Sequence, residues 1–270
     1  MINIEFYDGY FPLLDFSDSQ KAEAYKEEFI MSKLHDRRIY KFVAFTDNQA
    51  LNRKKLAMLA RKQFWASCYD YFSDTREVLR PFNMGKVCRA TGRTDQDISF
   101  FFRVVNEMND ISCFTYMPSP FMWEEYANHS NGFCMEFELL DTDKFFPVIY
   151  LDKNKIDYTK PIIESFNSQS PNWSNIALLS MLPWVTKDPE FEQEHEIRFL
   201  CGDVYDSEDG PMGGRIFPGK KKAMGYKGYE FSFDYSGIQL KKIIIGHNSV
   251  HTQDLIDICN RIQCPYLLDK

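Results

Sequence analysis

A chain of 270 residues, 44% of them hydrophobic, holds enough apolar material for a sizeable core in one large domain or two small ones. Its net charge of −7 and pI near 5.3 argue against a protein that tracks nucleic acid by nonspecific phosphate contact, because that needs a basic surface. Seven cysteines form no CxxC pair and no His/Cys ligand spacing, which argues against structural zinc.

The odd cysteine count, with no basic leader and no long apolar stretch, suits a cytoplasmic protein with reduced thiols and no membrane partner. Phe and Tyr, 24 and 15 in number, suit a core of packed rings. The basic triplet Lys220, Lys221 and Lys222 reads as a solvated loop.

In chain order, residues 1–16 are apolar and aromatic without a clear period and read as an extended arm. Ser17 and Asp18 then cap a helix to about Lys33, which packs on the main body or on a second subunit, leaving a homo-oligomer open. Residues 39–45 form a β-rich run, and Asp47 caps a helix bearing Leu51, Leu56, Met58 and Leu59. Residues 64–67 look like the next strand, followed by an acidic turn over 69–74 and an irregular polar stretch over 76–93. Thr94 and Asp97 form a capping-box arrangement at the start of a helix over 95–108.

Residues 111–139 read as strand, helix, strand. Ser119 is the N-cap, Pro120 the first-turn proline, Asn131 and Gly132 the stop. Phe133, Met135, Phe137 and Leu139 then give the second strand one apolar side. A strand over 145–151, a Ser/Asn-rich loop over 167–175 and a short helix over 176–182 follow. Residues 201–227 are a Gly/Pro-rich loop. Strands over 229–233 and 240–245, a helix opened by Ser249 and a closing strand over 266–268 complete the chain. Helices interrupt strands irregularly, so the expected fold is α+β with mixed, mostly antiparallel sheets, residues 1–38 being an arm and helix and 39–270 a single domain.

The best candidate for chemistry is the predicted strand through Glu194 and Arg198. Alternation puts Glu194, Glu196 and Arg198 on one face, with carboxylates about 7 Å apart along the strand. Such a row is a salt-bridge ladder, or a site in which a carboxylate works on substrate while the arginine orients it. Trp123, Tyr126 and His129 recur at helical spacing, either as core or as a cleft wall with His129 as general acid or base. Cys113 and Cys134 read as buried strand thiols, and Asp70, Asp74, Glu136 and Glu138 match no fixed metal spacing.

Cys113, Phe114, Met122, Trp123, Tyr126, Ala127, His129, Gly132, Cys134 and Phe137, with Lys187, Phe191, Glu194, Glu196 and Arg198 later, resemble the prokaryotic family called domain of unknown function 2971. The resemblance spans roughly residues 39–260 and implies no assigned activity. The late Glu-x-Glu is also loosely similar to the way ADP-ribosyltransferases present their catalytic glutamate. That similarity implies NAD as a nucleotide substrate, Tyr40, Lys41, Trp123 and Tyr126 as its contacts, Glu196 acting at the ribose, and a toxin or anti-phage effector role. The chain departs from that pattern in having no His or Arg on the first strand and no Ser-Thr-Ser. A non-catalytic ligand-sensing or protein-interaction module remains the alternative, with any protein or nucleic-acid target open.

Overall fold

The structure is a computed structural model describing residues 6–14, 20–68, 71, 81–106, 109–152, 155–168, 173–202 and 227–269. The acidic turn over 69–74, apart from Tyr71, the loop over 203–226 with its lysine triplet, and the Ser17 and Asp18 cap lie outside the described residues.

The expected α+β architecture is present. In chain order the strands of the main sheet are β1 (Arg38–Ala44), β2 (Gln63–Cys68), β3 (Asp110–Thr115), β4 (Gly132–Leu139), β5 (Phe145–Pro147), β8 (Glu196–Cys201), β9 (Gly228–Ser232), β10 (Ile238–Ile245) and β11 (Tyr266–Leu268). They run in the order β11-β10-β4-β1-β3-β2-β9, with β8 paired to β3 and β5 paired in turn to β8. All pairs in this sheet are antiparallel except β10 with β11. A two-stranded parallel sheet joins β6 (Ile149–Tyr150) to β7 (Thr186–Lys187).

Strand β3 pairs with β8 along its whole length on one side. On the other it meets β2 at Asp110 and Ile111 but β1 only at Thr115. Strands β1 and β2 therefore diverge, and a wedge opens in the sheet between them.

Alternation divides the core in two. Met135, Phe137, Phe114, Ile197 and Phe199 face a cluster closed by Leu56 and Leu59 of α3 (Gln49–Ala60) and Leu255 and Ile258 of α9 (Thr252–Ile262). Ile111, Leu200 and Phe146 face a second cluster built with Val87 of α4 (Met84–Thr91), Ile98 of α5 (Asp95–Asn106), Ile162 of α7 (Thr159–Asn167), Leu179 of α8 (Trp173–Ser180) and Trp184.

Several boundaries differ from expectation. The start of the chain is not an extended arm: Phe6–Tyr10 forms α1, whose Phe6, Tyr7 and Tyr10 are buried, and the Tyr7 hydroxyl donates to the Pro147 carbonyl at 2.8 Å. Aromatic residues at successive positions carry no period, yet here they pack all round a short helix. The following helix α2 (Gln20–Lys33) docks in cis through Lys26, whose ammonium donates to the Asp143 carbonyl at 2.6 Å and sits 4.4 Å from the Phe146 ring centroid. The stretch over 76–93 contains α4, started by an Asn83 side-chain cap and closed by left-handed Gly92. Asn48, not Asp47, caps α3, and α9 begins at Thr252, three residues after Ser249. The loop over 167–175 is shorter than expected, since α7 runs to Asn167 and α8 starts at Trp173. Thr94 and Asp97 do exchange hydrogen bonds in the expected capping box.

Gly132 is fixed by a close approach. A Cβ there would stand 2.2 Å from the Val43 carbonyl oxygen across the β1–β4 pair. Gly132→Ala must push two central strands apart, so a loss of about 1–3 kcal/mol is expected from overpacking. A thermal melt equal to wild type would show that the strands accommodate the methyl.

Candidate functional site

Helix α6 (Pro120–Tyr126) follows β3 directly and is started by the Ser119 side chain, which accepts from the Met122 amide. It ends at Tyr126, earlier than Asn131 and Gly132 suggested. Asn128, His129 and Ser130 all take positive φ, and this costly turn is held by Asn128 donating to the Phe45 carbonyl and Asn248 donating to the His129 carbonyl, each at 2.9 Å. His129 therefore leaves the helical face: its ring is exposed and contacts Glu124 at 2.5 Å. Helical spacing misplaced it because the helix stops three residues short.

A second local surprise builds the charged site. Glu194 is the last residue of a 3₁₀ segment (Pro189–Glu194), not part of a strand, and β8 begins only at Glu196. His195 between them has φ +45°, and that left-handed step brings the Glu194 and Glu196 side chains to a common ammonium. Lys187, on the short strand β7, donates to Glu194 at 2.5 Å and to Glu196 at 3.4 Å. Arg198 donates to Glu196 at 2.7 and 3.2 Å and to the Trp184 carbonyl at 2.6 Å. The Tyr126 hydroxyl donates to Glu194 at 2.6 Å, and the Glu196 amide donates to the Tyr150 hydroxyl at 2.8 Å.

All four charged side chains are buried, Arg198 completely. Two carboxylates and two cations balance in charge, and each carboxylate has a cation, which is what burial at this depth demands. Burial alone would raise the Glu196 carboxyl, but the Arg198 and Lys187 charges outweigh it and hold Glu196 well below the usual carboxylate range. Burial raises Glu194, and the hydrogen bonds from Lys187 and Tyr126 offset that only in part. Burial also pushes the Tyr126 hydroxyl and the Cys113 thiol up, so both are neutral donors, Cys113 toward Glu196.

These groups line a pocket of about 120 Å³ with Tyr40, Phe42, Cys113, Met122 and Tyr126. Glu194 also borders an outer groove with Phe121, Tyr126 and Phe191, so it stands between the inner room and the surface. Of the residues singled out in the sequence, Glu194, Glu196, Arg198, Tyr40 and Tyr126 come together here. Trp123 stands behind, its ring edge-on to Phe42 at 5.0 Å, and Tyr126 is 39% exposed, so α6 is not the buried aromatic face that the core reading expected. Lys41 points to the other face of β1, into the wedge. Lys187 and Tyr150 were missed as site residues. The spacing of Lys187 to Glu194 was visible, but their contact depends on the 3₁₀ turn.

Among the described residues no group of three or more His, Cys, Asp or Glu side chains is placed to hold a metal, and no helix is long and apolar enough to cross a membrane. The fold and site define an α+β protein whose sheet carries a neutralised four-charge cluster at the floor of a small pocket. A family model described as a protein of unknown function (DUF2971) matches residues 122–199, bearing out the resemblance over that stretch, which runs from α6 into β8 and carries Tyr126, Lys187, Glu194, Glu196 and Arg198. No curated protein and no solved structure matches the chain.

Removing one cation from this cluster should be far costlier than a surface change. Arg198→Met leaves Glu196 buried beside Lys187 alone, and a loss of about 3–5 kcal/mol is expected in urea melts. The pH dependence has a definite sign. Because Glu196 is lowered on folding, its contribution is present above the unfolded carboxyl value of about 4.3 and drains away as pH falls below that toward its folded value. The stability gap between wild type and Glu196→Gln should therefore narrow from pH 7 to pH 3.5, and a constant gap would contradict the assignment.

Proposed function

We propose that the pocket is the active site of an enzyme acting on an NAD-type nucleotide, by transferring or hydrolysing its ADP-ribose group. The observation that carries this reading is the convergence of β1, α6 and β8 on one small room. It has a carboxylate pair at its floor and Tyr40, Phe42 and Tyr126 on its walls. At about 120 Å³ it is on the scale of one six-membered ring, since a cavity of about 150 Å³ takes benzene. Nicotinamide is such a ring, and its departure takes the electron pair of the glycosidic bond and leaves positive charge on the ribose. Fixed carboxylates oppose that charge without reorganisation.

The environments of the two glutamates suggest separate roles. Glu196, doubly held by Arg198 and also touched by Lys187, supplies a permanent anion and a rigid floor. Glu194, raised by burial and next to the outer groove, suits the base that accepts the proton of the attacking water or target hydroxyl. A second reading, a non-catalytic ligand-sensing module, is favoured by one observation: both Glu196 oxygens are already taken by Arg198.

The purified protein, incubated with NAD, should release nicotinamide. Glu194→Gln, close to isosteric, should still fold but melt lower, because Lys187 then keeps only Glu196 as a counter-charge, and the folded protein should lose about two orders of magnitude or more in rate, as loss of a general base does. Release of nicotinamide unchanged in a well-folded Glu194→Gln protein would contradict the catalytic role, and binding without any turnover in wild type would favour the sensing module. Growth inhibition on expression, with cellular NAD followed alongside, carries the same comparison into cells.

A further inference from the structure

The wedge between β1 and β2 is a second cavity of about 360 Å³, with a mostly apolar wall that includes Phe64, Trp65, Ile111 and Phe133. It touches the smaller pocket only through Phe42 and Cys113. In a chain of net charge −7 the described residues of its lining include no Asp or Glu, yet they include two lysines, Lys41 and Lys55. The Lys41 ammonium lies at the split itself, donating to the Ser112 hydroxyl at 2.7 Å and the Cys113 carbonyl at 3.0 Å, 4.9 Å from the Phe114 ring centroid. An ammonium has three donors, so one N–H of Lys41 has no acceptor among the described residues, and no carboxylate there forms an ion pair with it. Lys55 donates to the Ala44 carbonyl at 2.6 Å and forms no ion pair among the described residues.

A cation taken out of water without a counter-charge is costly, and a bound anion offsets that cost. Burial pushes the Lys41 ammonium down to about 8, which still leaves it charged at neutral pH. We infer that the wedge binds a flat aromatic small molecule bearing one phosphate or carboxylate, with the anionic group on Lys41 and the ring between Phe64, Trp65 and Phe133. Its volume falls in the ordinary range for small-molecule sites, about 300–1,000 Å³. This does not depend on the carboxylate pocket being catalytic, because the charged groups of the two rooms are different.

The probes are AMP and 1-naphthoate, with adenosine as the uncharged control, titrated by calorimetry into the full chain. AMP binding identifies phosphate as the anion and 1-naphthoate alone identifies carboxylate, while adenosine should bind about tenfold more weakly than AMP or worse. Lys41→Met should weaken the bound probe by about tenfold or more, and Lys41→Arg should retain part of the binding through its charge. Glu194→Gln should leave the titration unchanged, which separates this site from the neighbouring one. Because Lys41→Met could unfold the sheet, acylation of wild-type lysines followed by peptide mass spectrometry is the second measurement. The probe should protect Lys41 more than the exposed lysines. Failure of both anions to bind, or equal binding by a folded Lys41→Met protein, or absence of protection, each overturns the inference.

Discussion

Four buried charges at the end of β8 constrain the whole middle of the molecule. Arg198 cannot be solvated, so Glu196 must face it and the Trp184 carbonyl must approach it. That requirement ties the 3₁₀ segment at 182–184 to the sheet. Lys187 needs two acceptors and has them only because the left-handed step at His195 brings Glu194 back beside Glu196. Tyr126 then closes the network from α6, which draws the β3–α6–β4 unit onto β8. Losing any one partner strands another in a medium that penalises unpaired charge.

The same network shapes a pocket as a by-product of holding the sheet. Charges that only stapled the fold would be as well served by apolar packing, which often equals or exceeds a buried ion pair in stability. Here the carboxylates border a room walled by rings, with Glu194 also bordering the surface. The split between β1 and β2 adds a second room with a different charge logic: lysines with no carboxylate beside them among the described residues, against carboxylates matched by cations.

Periodic stretches were legible in the sequence. From Met135 on, β4 alternates buried with half-buried residues, and Phe133, Met135, Phe137 and Leu139 are all buried in one cluster. Ser119 before Pro120, and Thr94 with Asp97, announced two helix starts through cap chemistry that is local. What stayed hidden depends on residues taking left-handed conformations without being glycine. At Asn128, His129 and Ser130 the turn is held by Phe45 and Asn248, and at His195 by the Tyr116 amide donating to its carbonyl at 3.0 Å, all partners far away in the chain. The strand reading of Glu194 was therefore mistaken in conformation while the two glutamates and Arg198 still meet. The missing member was Lys187, whose partner is set by tertiary structure.

Soaking a crystal of the protein with nicotinamide tests the claim that the room above the four charges is a ligand site. The ring should lie between Tyr40, Phe42 and Tyr126, with its polar edge toward Glu194, and the Lys187, Glu196 and Arg198 side chains should not move. A pocket that stays filled only by ordered water at saturating ligand, with the ring absent or bound elsewhere, would contradict it and leave the cluster as a device for holding the sheet together.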